Sequence, residues 1–181
     1  MLNTIFVPGY GNSTKGHWQE ILYKETTNAH WVEQNDWDSP NSIKWIETLN
    51  ALIQSLDGPI FLIAHSLGGS TVVEWSKRYS ANILGAVLVS FPDVEGENFP
   101  DVITGYQTPP LIKLPFPCLV LASLDDPYSS LGRTKYFVEK WGCELITIGK
   151  KGHVNIDSGL GDWPQGKNLI INFQNSLYAK L

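Results

Sequence analysis

The residue with the clearest chemical promise is Ser66, at the end of the run Ile60-Phe-Leu-Ile-Ala-His-Ser66-Leu-Gly-Gly69. The run reads as a buried strand, a tight turn and the start of a helix. On such a turn the serine hydroxyl is forced outward at the top of the sheet, and the residues two before and two after it must be small because the bend is crowded. Those residues are Ala64 and Gly68. Glycine is the usual first member, and alanine adds one methyl group. The helix opening after Ser66 directs its free N–H groups at the hydroxyl, where they favour developing negative charge. The Leu67 N–H is the expected first donor to an oxyanion.

A serine hydroxyl attacks a carbonyl only with a base beside it. The chain has four histidines: His17, His30, His65 and His153. With a chain order of nucleophile, acid, histidine, only His153 lies far enough along. It sits in the polar loop Gly149-Lys-Lys-Gly-His153-Val-Asn155. His65 adjoins the nucleophile and is expected to point away from it in a structural role. His17 and His30 precede the turn and fit the base role poorly. The acid that orients an imidazole should follow the strand Cys118–Ser123, where Asp125 and Asp126 compete. Counting three residues from Ser123 favours Asp126, which also precedes Pro127. Either aspartate would also serve as a cap for the helix starting near Ser129. The second oxyanion donor should come from the glycine-bearing loop Val7-Pro-Gly9-Tyr10-Gly11, with the Tyr10 N–H as candidate.

These groups need a scaffold that brings residues about ninety positions apart to one end of a sheet. Apolar runs of strand length occur at Leu2–Val7, Trp31–Gln34, Ile60–Ala64, Ile83–Ser90, Cys118–Ser123 and Glu144–Ile148. Their lack of polar alternation implies burial on both faces, as in a parallel sheet. Helical patterns lie between them. One follows Ser39 as N-cap and Pro40 at the first helical position, with Ile43, Ile46, Leu49 and Ile53 on one face. Others cover about Leu67–Tyr79 and Ser129–Trp141, and a last one carries Leu169, Ile170, Phe173 and Leu177. The expected fold is therefore α/β: one domain over residues 1–181, a doubly wound, mostly parallel sheet of about six strands, with little or no cap. Ligands of such sheets bind outside the carboxyl ends of the strands. The stretch Phe91–Pro117, with six prolines, either walls the pocket or is a long surface connection. The seven tryptophans are expected to be mainly packing residues, Trp163 included.

Composition narrows the functional classes. The 181 residues are 43% hydrophobic and 17% charged, with a net charge of −5, which argues against a binder of nucleic-acid phosphates. The two cysteines, Cys118 and Cys143, make no disulfide framework and read as free thiols of a reducing compartment. The amino-terminal run is too short for a membrane span, so the cytoplasm is the expected location. No histidine–cysteine spacing suggests a metal, and no cofactor is expected.

Five separated stretches together resemble the retinoblastoma-binding-protein-nine-like serine hydrolases, small α/β-hydrolases with little or no cap. They are VPGYGNSTKGHW (Val7–Trp18), DWDSPNSIKW (Asp36–Trp45), IAHSLGG (Ile63–Gly69), SLDDPYSS (Ser123–Ser130) and GHVNIDSGLGDWPQG (Gly152–Gly166). The resemblance implies a triad on Ser66, Asp126 and His153, in agreement with the residues read alone. It also implies hydrolysis of small-molecule esters, or amides, through an acyl-enzyme. A retinoblastoma-protein partner is not implied, because neither cysteine has leucine two residues before it. The short chain predicts a small acyl site. The rival reading keeps the fold without useful activity, as a binding or interaction module.

Overall fold

The computed structural model describes residues 1–180. Six strands, β1 (Asn3–Val7), β2 (Ala29–Trp31), β3 (Ile60–His65), β4 (Ile83–Val89), β5 (Cys118–Ala122) and β6 (Glu144–Thr147), form one sheet. Its order is β2-β1-β3-β4-β5-β6, and every pairing is parallel. Five helices cover it: α1 (Trp18–Glu25), α2 (Ser42–Gln54), α3 (Leu67–Arg78), α4 (Leu131–Trp141) and α5 (Pro164–Tyr178). The expected doubly wound α/β-hydrolase fold without a large cap is the observed one.

Alternate residues of the strands feed two separate cores. Ile5, Val7, Leu62, Ala64, Leu88 and Val120 face α2, α3 and α4, where Leu49, Val73, Phe137 and Trp141 meet them. Phe6, Phe61, Ile63, Val87 and Leu121 face α1 and α5, against Trp18, Leu22, Ile170 and Phe173. Burial on both faces is why the strands read as continuous apolar runs. From β1 the chain steps first to β2 on one side and later to β3 on the other. The sheet order thus reverses between β1 and β3, and a ligand crevice belongs at their carboxyl ends. Ser66 and the Pro8–Asn12 loop emerge there.

Several expected boundaries move. The second strand is Ala29–Trp31 rather than Trp31–Gln34, because the register is set by Thr4 opposite Ala29 and Phe6 opposite Trp31. Helix α2 starts at Ser42 with Asn41 as its cap, its side chain accepting the Lys44 N–H. Ser39 is instead drawn into a turn, donating its N–H to Asp36 Oδ1 at 2.8 Å. Helix α1 is not among the sequence expectations. Its N-cap is His17, whose Nδ1 accepts the Gln19 N–H at 3.1 Å, and histidine is outside the usual set of capping residues.

Candidate active site

Ser66 joins β3 to α3 with φ 52° and ψ −127°, a left-handed φ that a non-glycine residue rarely adopts. The turn has no room for larger neighbours. A Cβ on Gly68 would lie 2.1 Å from the Val7 carbonyl oxygen, and one on Gly9 would lie 2.8 Å from the Ser66 Cβ. Ala64 fits because its methyl group points into the fully buried core between Val7 and Leu88.

The structure brings Ser66, His153 and Asp126 together. His153 Nε2 lies 2.7 Å from Ser66 Oγ, while its Nδ1 lies 2.9 Å and 3.0 Å from the two Asp126 carboxylate oxygens. Asp126 also accepts the Tyr128 N–H at 2.9 Å, and Tyr128 packs edge-on against the His153 ring. The adjacent Asp125 faces elsewhere. Its carboxylate accepts the Ser123 hydroxyl and the Gly152 N–H, and these bonds, the one from Gly152 foremost, hold its pKa below the ordinary value. Asp125 thus braces the loop that carries His153, and Asp126 meets the imidazole.

Two features of this loop were not visible in the motifs. His65 is expected to turn away, yet it lines the same cavity as Ser66. Its Nε2–H donates to the His153 carbonyl at 3.0 Å, a pairing made across the fold and so hidden from sequence spacing. Trp18 donates its indole N–H to the Val154 carbonyl at 2.8 Å. Val154 has φ 55°, an unusual conformation for a β-branched residue. His17 packs against His65 at a tilt of 56°, with ring centroids 4.8 Å apart. Burial pushes the His17 pKa down to about 4, helped by the neighbouring His153 and opposed by Glu20. Burial, with His17 and His153 beside it, also holds His65 well below the usual imidazole range. His30 lies away from this cluster, on β2 beside Asn3.

The Tyr10 loop runs alongside Ser66. Gly11 gives its N–H to the Trp37 carbonyl and Asn12 gives its own to Gly9, so of these three it is the Tyr10 N–H that has no backbone acceptor among the described residues. Leu67 opens α3 directly after Ser66, so its N–H is one of the unpaired donors of that helix end. A cavity of about 310 Å³ lies over Ser66, its outer wall built by Pro92, Phe99, Pro100 and Ile103. The front half of the proline-rich stretch therefore walls the pocket. Its later half is a packed connection, with Leu114 and Phe116 in the core and the Pro110 carbonyl bonded by the Trp141 indole. Trp163 is buried against Trp18 and does not line the cavity. Among the described residues no group of three or more His, Cys, Asp or Glu is arranged to hold a metal, and no helix is long and apolar enough to cross a membrane.

An open parallel sheet with a serine on a strained strand-to-helix turn, under a small cavity, defines the class of α/β-hydrolases. A profile of the serine hydrolase family matches residues 4–172, and the chain belongs to that family. It is similar to a YdeN-like hydrolase from Pectobacterium atrosepticum, at 26% identity and TM-score 0.86, over 98% of this chain and 92% of that one. The fold is also that of the ydeN gene product from B. subtilis, at 20% identity and TM-score 0.80, over 97% and 100% of the two chains. A thermophilic esterase from Thermogutta terrifontis shares the fold at 14% identity and TM-score 0.70, over 98% and 90%. No curated protein sequence matches.

Proposed function

We propose that this chain hydrolyses carboxylic esters, with amides as a more demanding second class, through an acyl-enzyme on Ser66. The observation that carries the reading is the continuous bonded line from Asp126 through His153 to Ser66 Oγ, with no step longer than 3.0 Å. His153 Nε2 takes the hydroxyl proton as Oγ attacks the carbonyl carbon. Asp126 keeps the imidazole in the tautomer that can accept it and stabilises the imidazolium that forms. The N–H groups of Leu67 and Tyr10 receive the oxyanion. His153 then passes its proton to the departing alcohol, and the C–O bond breaks. A water molecule, deprotonated by the same imidazole, attacks the acyl-enzyme and releases the acid. These steps ask for no cofactor or metal. The two free thiols suit the cytoplasm, where we place the protein.

Steady-state hydrolysis of p-nitrophenyl butyrate tests the assignment. Ser66→Ala and His153→Ala should lower kcat by about 10³-fold or more, and Asp126→Asn by a similar order. Asp125→Asn keeps an acceptor oxygen for Gly152 and should cost under about tenfold. Undiminished hydrolysis by Ser66→Ala, or equal losses at Asp125 and Asp126, would overturn these roles. A folded wild-type protein inert toward a panel of esters would favour the binding-module reading instead.

A further inference from the structure

The cavity over Ser66 has, among the described residues, no acidic side chain and no basic one other than histidine on its walls. Its lining combines the apolar groups of Leu67, Pro92, Phe99, Pro100, Ile103 and Ile156 with the uncharged polar groups of Asn12, Thr14 and Asn155. Its two additional histidines do not supply charge either. His17 and His65 are both held below the usual imidazole range by burial, so they are neutral at neutral pH. The Asp126 carboxylate is only 3% exposed and is engaged by His153. Lys150 and Lys151 line an adjoining, more open groove beyond His153, and Lys15, next to Thr14, is exposed; solvent screens all three.

Resting on the hydrolase reading above, we propose that the cavity selects esters whose acyl group is short and electrically neutral, and rejects acyl chains ending in a carboxylate or a quaternary ammonium. The physical cause is desolvation: a charged chain end brought into this space loses its water and meets no opposite charge. A neutral chain end loses nothing comparable and gains contact with Phe99 and Ile103. Size acts in the same direction, since about 310 Å³ is at the lower end of the range for small-molecule sites.

The test compares p-nitrophenyl hexanoate with mono-p-nitrophenyl adipate, which has a carboxylate at the chain end, and with the p-nitrophenyl ester of 5-(trimethylammonio)pentanoate. Each rate is corrected for spontaneous hydrolysis. The expected result is a kcat/KM for both charged esters about 10²-fold or more below that of hexanoate. Thr14 is exposed on the cavity rim, so Thr14→Lys adds a cation without disturbing the core. It should raise the adipate-to-hexanoate ratio at least about fivefold and lower the ratio for the ammonium ester. A fluorophosphonate probe is run on the same preparations. Labelling at Ser66 together with adipate turnover within about tenfold of hexanoate overturns this inference alone. Absence of labelling with no ester turned over overturns the hydrolase reading and this inference with it.

Discussion

The carbonyl groups of His153 and Val154 are each held by a ring N–H from a distant part of the chain, His65 for the first and Trp18 for the second. Between them they oppose the tendency of Val154 to leave its left-handed conformation, whose strain is on the order of 1–3 kcal/mol. Trp18 belongs to the Gly16-His17-Trp18 motif, and in our reading its indole N–H positions the imidazole through the backbone. Trp18→Phe removes the N–H and keeps an aromatic ring in the α1 core. It should lower kcat for p-nitrophenyl butyrate by about tenfold or more with KM little changed, as expected when a reacting group is displaced by a fraction of an ångström. A raised KM at unchanged kcat would place Trp18 in substrate binding instead.

At the scale of elements, one arginine helps to hold the wall of the cavity, beside the bonds of Asp93 N–H to the Tyr128 carbonyl and of the Asn98 amide to the Pro127 carbonyl. Arg133, near the start of α4, bonds Asp93 through Nε at 2.6 Å and through Nη2 at 3.0 Å, and reaches Glu95 at 2.6 Å. Asp93 and Glu95 begin the segment that carries Phe99, Pro100 and Ile103. Arg133→Met should loosen this wall and raise KM for p-nitrophenyl butyrate by about threefold to tenfold, with kcat within about twofold. A variant with unchanged KM would show that the wall stands without the ion pair. Most of the elements were legible because their signals are local. The long strands β3, β4 and β5 announce themselves as apolar runs, and the turn at Ser66 by its small neighbours. The failures have two causes, one non-local and one local. Strand β2 has three residues and takes its register from β1, and α1 is capped by a histidine. At the candidate site, the grouping of Ser66, Asp126 and His153 within hydrogen-bond distance was expected from order and spacing. The partnership of His65 and Trp18 with the His153 loop was not, because it joins positions 88 and 136 residues apart.

For the molecule as a whole, the two buried histidines make stability depend on pH. In the unfolded chain an imidazole has its ordinary value of 6.5, while folded His17 is held at about 4 and His65 well below its ordinary value. Between these limits the unfolded state binds more protons than the folded one, so stability rises with pH through the window and is lost on acidification below pH 6.5. The loss should begin above the range in which ordinary carboxylates take up protons. Melting temperatures recorded from pH 7 down to about 4.5 should fall steadily. His17→Asn supplies an oxygen to cap α1 and removes one titrating ring, so its curve should be flatter. A wild-type melting temperature constant over this window would contradict the neutral burial of these rings.

The assignment of Ser66 as nucleophile is tested most directly by reaction with a fluorophosphonate followed by intact-mass measurement and peptide mapping. One adduct per chain is expected, carried by the peptide that contains Ser66, blocked by Ser66→Ala and strongly slowed by His153→Ala. An adduct on another residue, or equal labelling of the Ser66→Ala protein, would contradict it.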